Sequence, residues 1–385
     1  MSQHMYNKII VASDSFKGSL SSLDVAEAAS KAINEVYPRC EVVKVDVADG
    51  GEGTIDALRR TLGGEKIEIE VADPLGRPVQ ASYAILNDGI TAVLEMAAAS
   101  GLPLLTAEER NPLKTSTYGT GQLIADALDR GCRRFLVGIG GSATNDAGMG
   151  MLRALGYRFL DAQGNLLHGC GESLEMVASI DVSSSHSALV SAEFIVACDV
   201  EAPLYGPTGA AYVFAPQKGA DSDMVERLDN GLKHFSKIVM RYQNPTQDSS
   251  NVPGAGAAGG LGFGFLAFLN ARIGPGIDMV LDAIGFDDVI KGADLIITGE
   301  GKIDSQTLTG KTPYGVLQRA KRQGIPVLAI GGTVHLTQEQ TQAAGFTSAL
   351  QVTPPDMPLN DAMNPETAAE NISRRAVAVI LASCP

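Results

Sequence analysis

The sequence predicts an α/β protein of two domains, and three observations support this. The first 50 residues read as strand, helix and strand, with buried-strand composition, which is typical of a parallel βαβ unit. From about residue 66 the apolar residues alternate instead, which favours antiparallel strands. After residue 278 the βαβ pattern returns, and a chain of 385 residues is long enough for two domains.

The N-terminal βαβ unit places charged residues where its strands end. We expect strands over residues 8–13 and 41–47, joined by a helix that begins at a capping box formed by Ser21 and Asp24. Four charged residues follow these strands: Asp14, Lys17, Asp49 and Glu52. Ligand crevices of parallel sheets lie at the carboxyl ends of the strands, so the four could line a site. Ordinary solvated loop charges are an equal alternative.

The middle of the chain alternates first and then reads as α/β. Strands are expected where apolar residues alternate over 67–71 and 79–85. Helices are expected over 118–131 and 149–155, with a strand between them over 135–137. Further on we expect a strand over 194–198 and an amphipathic helix over 225–239 that belongs to the core.

A glycine turn between a predicted strand and a predicted helix is the strongest candidate for an anion site. Residues 138–146 read Gly-Ile-Gly-Gly-Ser-Ala-Thr-Asn-Asp. Glycines allow backbone N–H groups to approach a phosphate, and Ser142, Thr144 and Asn145 add side-chain donors beside Gly140 and Gly141. Asp146 would repel a bare phosphate, so its presence favours a magnesium nucleotide. In the alternative interpretation, this is a strand-to-helix turn with Asp146 as a helix cap.

Three loops of the middle segment carry further candidates. Asp199 ends the strand predicted over 194–198, which suits a catalytic base or metal ligand, with helix capping as the alternative. Lys218 stands in another loop. Residues 254–259 fit the dinucleotide pattern G-x-G-x-x-G, but no strand precedes them, which favours a closely packed helix start.

The C-terminal part contains a second loop with residue types that suit phosphate. We expect a strand over 293–298, helices over 313–323 and from about 366, and a strand over 326–330. Between the first strand and helix, Lys302 and Lys311 offer positive charge, while Glu300 and Asp304 offer oxygens for a cation. Because the substrates of such a site are anions, at least two of Lys17, Lys218 and Lys311 are expected in one cleft.

Composition excludes several classes of function. The formal net charge of −14 disfavours nucleic acid and anionic membranes as partners. Five scattered cysteines without C-x-x-C spacing, and histidines without ligand spacing, indicate neither disulfides nor a zinc site and fit the cytoplasm. No apolar run is long enough for a transmembrane helix.

Four ordered motifs together resemble the bacterial type I glycerate kinases. They are residues 13–18 (Ser-Asp-Ser-Phe-Lys-Gly), 48–54 (Ala-Asp-Gly-Gly-Glu-Gly-Thr), 138–146 and 299–307 (Gly-Glu-Gly-Lys-Ile-Asp-Ser-Gln-Thr), supported by Cys-Asp-Val-Glu at 198–201. The resemblance runs nearly end to end; Ala202 and Ala147 depart from the usual family pattern. It implies a discontinuous flavodoxin-like domain, residues 1–66 plus 286–385, with a second α/β domain inserted at 67–285.

The same resemblance implies ATP-dependent phosphorylation of D-glycerate, with 2-phosphoglycerate as the product expected for enterobacterial members. Phosphoryl transfer needs a base, phosphate donors and Mg²⁺ ligands. We assign Asp199 as the base, with Lys17, Asp49 and Asp304 as further catalytic residues. Gly140, Gly141, Ser142, Thr144, Asn145, Lys218 and Lys311 are assigned to ATP, and Asp146 and Glu300 to Mg²⁺.

Other functions remain open at this stage. The product could be 3-phosphoglycerate, or the acceptor another small hydroxy acid. An NAD-dependent oxidoreductase is possible because residues 138–143 also match a dinucleotide turn, with Asp161 near the ribose-binding spacing. A non-catalytic sugar-acid sensor is the third alternative, although no helix-turn-helix pattern accompanies it. The oligomeric state is not predicted.

Overall fold

A computed structural model describes residues 6–50, 53–243 and 248–382, and it confirms the α/β class. The strands are β1 (Lys8–Val11), β2 (Glu41–Lys44), β3 (Gly64–Ala72), β4 (Pro78–Leu86), β5 (Thr91–Glu95), β6 (Arg134–Gly138), β7 (Arg158–Leu160), β8 (Ser179–Asp181), β9 (Glu193–Ala197), β10 (Arg272–Gly274), β11 (Leu295–Ile303), β12 (Val327–Val334) and β13 (Ser348–Gln351).

The helices are α1 (Ser22–Val36), α2 (Thr54–Leu62), α3 (Ala97–Ser100), α4 (Tyr118–Asp129), α5 (Met149–Ala154), α6 (Ala210–Phe214), α7 (Ser222–Gln243), α8 (Ala257–Leu269), α9 (Gly276–Ala283), α10 (Phe286–Val289), α11 (Thr312–Arg322), α12 (Gln338–Ala344), α13 (Leu359–Ala362) and α14 (Pro365–Ala382). Short 3₁₀ helices occupy Leu102–Leu104, Gly171–Met176, Ser187–Ser191, Pro216–Lys218, Ser249–Asn251 and Ser305–Thr309.

The chain divides into two compact units. Unit 1 contains the residues up to Asp49, residues 56–61 and the residues from Ile277 onward, and unit 2 contains Gly50–Ile55 and Leu62–Gly276. The domain boundaries predicted from the sequence, 66 and 286, stay a prediction. Within the structure β3 already begins at Gly64, and α9 belongs mostly to unit 1.

Unit 1 is built on a five-stranded parallel sheet in the order β13-β12-β11-β1-β2. The central strands are apolar and buried on both faces, as parallel strands between helices must be. Helix α1 starts at the predicted capping box, in which Ser21 Oγ accepts from Asp24 N and Asp24 Oδ2 accepts from Ser21 N, both at 3.2 Å. The order of these strands across the sheet is that of a flavodoxin-like sheet, with the switch point between β1 and β11.

Strand β11 is longer than the sequence suggested. The strand was expected to end at residue 298, but it continues to Ile303 because Glu300 and Lys302 remain paired with Gly331 and Thr333 of β12. Glu300 is therefore a strand residue and 8% exposed, not a loop residue. The hydrogen-bonded ladder holds its position more firmly than a loop would.

Unit 2 contains a six-stranded mixed sheet in the order β10-β9-β6-β5-β4-β3. Strands β10, β9, β6 and β5 are parallel, and β3 and β4 add an antiparallel hairpin edge. A two-stranded antiparallel sheet of β7 and β8 accompanies it. An apolar core of its own fills the unit, including the stacked rings of Phe135 and Phe194. Within the described residues, no helix is both long and apolar enough to cross a bilayer.

Candidate functional site

Unit 1 has a cavity of about 530 Å³ where its sheet strands end. Asp14 follows β1, Glu300 and Lys302 belong to the end of β11, and Lys311 precedes α11. Lys17, Asp49 and Asp304 also line this cavity. Each of these residues was singled out in the sequence, and the fold brings them to one carboxyl edge because parallel strands all end there.

The carboxylates and ammonium groups of this cavity are paired. Lys17 Nζ lies 3.8 Å from Asp49 Oδ2, and Lys302 Nζ lies 2.9 Å from Asp304 Oδ2. Lys17 is largely exposed, so its ion pair contributes little to stability. It can therefore turn toward an anionic ligand at small cost.

Glu300 holds Lys311 in a more buried arrangement. Its Oε1 accepts a hydrogen bond from Thr307 Oγ1 at 2.6 Å, and its Oε2 accepts one from Lys311 Nζ at 3.3 Å. Asp304 caps the following 3₁₀ turn by accepting from Gln306 N at 2.9 Å. These bonds fix the segment between β11 and α11, which ends at Lys311.

Asp14 is the most perturbed carboxyl group of the cavity. It is 8% exposed, and its oxygens accept from Ser15 N at 2.7 Å and Thr312 Oγ1 at 3.1 Å. Burial, and next the nearby charge of Asp49, raise its pKa to about 6. A divalent cation would relieve the repulsion between these two carboxylates, and Mg²⁺ usually takes one or two protein carboxylates together with phosphate oxygens. Among the described residues no group of three or more potential ligands forms a metal site by itself.

In the glycine turn of unit 2, only the first two of the predicted ATP-binding residues are exposed to solvent. Gly140 and Gly141 are exposed, whereas residues 142–146 are buried. Together with Glu95 and Gly138 the two glycines line a smaller cavity of about 300 Å³. Sequence reasoning missed Glu95, although a carboxylate directly after the apolar run of β5 is the signal that identified Asp199.

Asp146 lies inside unit 2 with no exposed surface. Its Oδ2 accepts from Thr117 N and Oγ1, both at 2.8 Å, and from Gly150 N at 3.1 Å, while Oδ1 accepts from Gly148 N at 3.1 Å. Burial raises its pKa, and these four hydrogen bonds oppose the rise. A capping role at the start of α5 fits this geometry better than the predicted Mg²⁺ ligand.

Lys218 is also buried, 2% exposed, behind the same turn. Its Nζ donates to Ser142 Oγ at 2.6 Å and to Thr144 O at 2.7 Å, and burial lowers its pKa to about 7. The structure thus places Lys17 and Lys311 in one cavity and Lys218 elsewhere. Lys218 supports the turn from behind, which differs from the phosphate contact expected of it.

Two predicted ligands next to Lys218 have unpaired side chains. Both amide atoms of Asn145 and the hydroxyl of Thr144 are buried without a hydrogen-bond partner. Buried polar atoms of this kind are costly unless water or a ligand satisfies them. They do not line either cavity described above.

Asp199 follows β9 and is exposed, as expected for a residue at a strand's end. Its Oδ1 accepts from Gly276 N at 3.1 Å. Within unit 2 this bond orients the carboxylate and leaves it accessible. Glu52, the remaining candidate, lies outside the described residues.

The glycine pattern 254–259 is confirmed as a closely packed helix start. A Cβ atom on Gly259 would lie 2.0 Å from Thr144 O, and Gly256 has similarly close neighbours. Among the described residues, the element that directly precedes it is the 3₁₀ helix Ser249–Asn251 and not a strand. Asp161, considered for ribose, accepts hydrogen bonds from Gln163 N and Asn165 N in its own turn.

Comparison with known proteins gives one consistent family. Residues 9–383 match the model of the Glycerate kinase family. A relative named glycerate kinase from Bacillus subtilis (strain 168) is 48% identical over 96% of both chains, and one named glycerate 2-kinase from Escherichia coli (strain K12) is 46% identical over 85% of both. A crystal structure from Salmonella typhimurium LT2, assigned as glycerate kinase 2, superposes with a TM-score of 0.88 at 43% identity, covering 98% of each chain.

Proposed function

The chain belongs to the Glycerate kinase family, and we propose that it transfers the γ-phosphoryl group of ATP to D-glycerate, giving 2-phosphoglycerate. The relative named glycerate 2-kinase, 46% identical over most of its length, supports the position of transfer. The observation that carries the proposal is the cavity of unit 1, where lysines and carboxylates lie together at the carboxyl ends of the strands. A kinase site needs both, because phosphates require positive charge and Mg²⁺ requires oxygens.

Each group in that cavity has a proposed part. One or two of the carboxylates of Asp14, Asp49 and Glu300 would hold Mg²⁺ together with phosphate oxygens, and the bound ion would neutralise phosphate charge. Lys17, Lys302 and Lys311 donate to phosphate oxygens, and Asp304 keeps Lys302 in position through their 2.9 Å contact. Preorganised charge of this kind is the main contribution a protein makes to phosphoryl transfer.

Asp199 is proposed as the base that accepts the proton of the glycerate hydroxyl. Its carboxylate is accessible and oriented by Gly276 N. A hydroxyl is a poor nucleophile until a base takes its proton, so one such carboxylate is required. The family favours this kinase over the oxidoreductase and the sensor considered from the sequence.

Coupled assays test the reaction and its product. Purified protein with ATP, MgCl₂ and D-glycerate should release ADP, and the product should serve enolase directly. A signal that needs added phosphoglycerate mutase would mean 3-phosphoglycerate and would overturn the product. EDTA in excess should abolish turnover, and no glycerate-dependent ADP release at all would refute the proposed function.

Lys17→Ala provides a test of the cavity. The variant should keep its fold, because Lys17 is exposed, and lose most of its turnover. Lys233→Ala, which removes an exposed lysine from α7 in unit 2, is the matched control. Wild-type kinetics for Lys17→Ala would mean that Lys17 is an ordinary surface lysine without a role in the reaction.

A further inference from the structure

The unit 1 cavity also has apolar lining residues that the reaction as proposed leaves without a role. We call these side chains the apolar wall: Phe16, Val352, Pro354, Met357, Leu359 and Met363. Most of them belong to the segment that runs from the end of β13 into α13. Nothing in the sequence analysis singled this segment out.

Two members of the apolar wall are unusually exposed. Leu359 is 74% and Met363 is 37% exposed, although both are large apolar side chains. Single exposed hydrophobic residues are ordinary, but a group that lines one concave surface indicates a ligand that covers it. The cavity is therefore lined by both charged and apolar side chains.

The cavity also lies at the switch point of the sheet. In unit 1 the strand order reverses between β1 and β11, and the cavity is lined by Asp14, which follows β1, and by Glu300, which lies in the C-terminal half of β11. Open parallel sheets bind their ligands in this crevice, and in flavodoxin-like sheets the ligand there is a nucleotide. The N-terminus of α11, at Thr312, directly follows Lys311.

Size and chemistry distinguish the two substrates. A volume of about 530 Å³ lies in the range of pockets for cofactor-sized ligands. Glycerate is a small acid with no apolar part, so it would leave the apolar wall uncovered. In ATP, the flat adenine base packs well against an apolar surface, and the triphosphate carries the negative charge that three lysines would bind.

We propose that the nucleotide binds in the unit 1 cavity, with its adenine ring on the apolar wall and its triphosphate toward Lys17, Lys302 and Lys311. This deepens the proposed function, on which it rests. It keeps Lys311, which the sequence prediction assigned to ATP, and departs from that prediction for Lys218 and the turn at Gly140.

Leu359→Glu tests the proposal, because it places a carboxylate on the apolar wall at an exposed position that the fold tolerates. Calorimetric titration with ATP and MgCl₂ should show at least a tenfold weaker Kd, about 1.4 kcal/mol. The KM for glycerate should stay within about twofold. Val190→Glu, at a position that is 96% exposed in unit 2, is the matched control and should bind ATP as wild type does.

Binding of inorganic tripolyphosphate separates the contribution of the phosphates to affinity from that of the adenine ring. Leu359→Glu should weaken ATP binding but leave tripolyphosphate binding nearly unchanged, whereas Lys311→Ala should weaken both. The double variant Leu359→Ala and Met363→Ala repeats the test without a new charge and should weaken ATP binding by about threefold, through lost apolar contact.

The outcomes separate this inference from the proposed function. An unchanged Kd for ATP in Leu359→Glu, with glycerate still phosphorylated, would overturn the nucleotide position alone. A higher KM for glycerate with unchanged ATP binding would place the acid in this cavity. Loss of ATP binding in Leu359→Glu would uphold the inference even if the wild-type protein failed to phosphorylate glycerate.

Discussion

At the scale of single residues, Asp14 makes stability depend on pH. Its pKa of about 6 in the folded chain exceeds the ordinary value of 3.8 in the unfolded one. The stabilisation from the protonated carboxyl is complete below pH 3.8 and is lost as the pH rises through 6, by on the order of 3 kcal/mol. The carboxylate remains tolerated because Ser15 and Thr312 donate to it.

Asp14→Asn should therefore gain stability relative to wild type as the pH rises. Urea unfolding of both proteins in metal-free buffer at pH 4 and pH 8 measures this, and the difference should change by on the order of 3 kcal/mol in favour of the variant. Asp223→Asn controls for the loss of an exposed carboxylate. Equal differences at both pH values would contradict the raised pKa.

Asp199→Asn should preserve shape and remove basicity. We expect turnover to fall by about 10²-fold or more, with the Kd for ATP unchanged. Glu201→Gln, in the same exposed loop, is the matched control and should remain near wild type. If Asp199→Asn lost ATP binding instead, Asp199 would contact the nucleotide or its metal ion and another base would be required.

Lys218→Met distinguishes a structural from a ligand-binding lysine. Ser142 Oγ and Thr144 O would lose the hydrogen bonds that Lys218 Nζ donates to them, so the free energy of unfolding should fall by about 1–3 kcal/mol. ATP affinity of the folded protein should not change. Unchanged thermal stability with weakened ATP binding would restore the nucleotide contact expected from the sequence.

At the scale of elements, the start of α8 depends on the absence of a side chain. Gly259 has φ +67°, and a Cβ there would lie 2.0 Å from Thr144 O and 2.5 Å from Asn145 Cα. Gly259→Ala should cost about 3 kcal/mol or more, since backbone atoms must shift. Gly274→Ala, where a Cβ meets nothing within 4 Å, should be neutral or slightly stabilising in thermal melts. Equal melting temperatures would show that the α8 start can relax.

Local patterns predicted most elements within a few residues, because they record interactions between neighbours in the chain. The capping box of Ser21 and Asp24 and the helix at Tyr118 are examples. Strand β11 was predicted to end five residues too early, because its extension depends on pairing with β12, which is distant in sequence. The same limitation applies to the role of Asp146. The sequence of a glycine turn is the same whether the carboxylate accepts hydrogen bonds from a distant residue such as Thr117 or faces a ligand.

The charged residues that line the unit 1 cavity could be predicted, and the apolar ones could not. Acidic and basic residues after strands are visible in a sequence, and parallel topology brings strand ends together. Leu359 and Met363 carry no such signal. Apolar residues in a helix ordinarily indicate core, and only the structure shows that these two are exposed at a concavity.

At the scale of the whole molecule, unit 2 has what an independent domain requires. It has a six-stranded sheet and an apolar core of its own, and residues 62–276 form nearly all of it. The short segment Gly50–Ile55 is its other part, linked through Ile55 N, which donates to Glu95 Oε1 at 3.3 Å. A contiguous piece of this size should therefore fold when expressed alone.

Two fragments would test the domain limits. The fragment 62–276 should unfold cooperatively in thermal and urea melts, with mixed α/β circular dichroism. The fragment 67–285, cut at the limits predicted from the sequence, should be less stable, because it loses the first three residues of β3 and adds α9. In the full chain, Asp278 and Asp282 of α9 pair with Arg319 of unit 1, and a Cβ on Gly315 would lie 2.7 Å from Ile277, so the added helix would expose surface that unit 1 covers. Equal stability of the two fragments would contradict this expectation, and higher stability of 67–285 would favour the limits at 67 and 285. A non-cooperative transition in 62–276 would mean that unit 2 folds only as part of the whole chain.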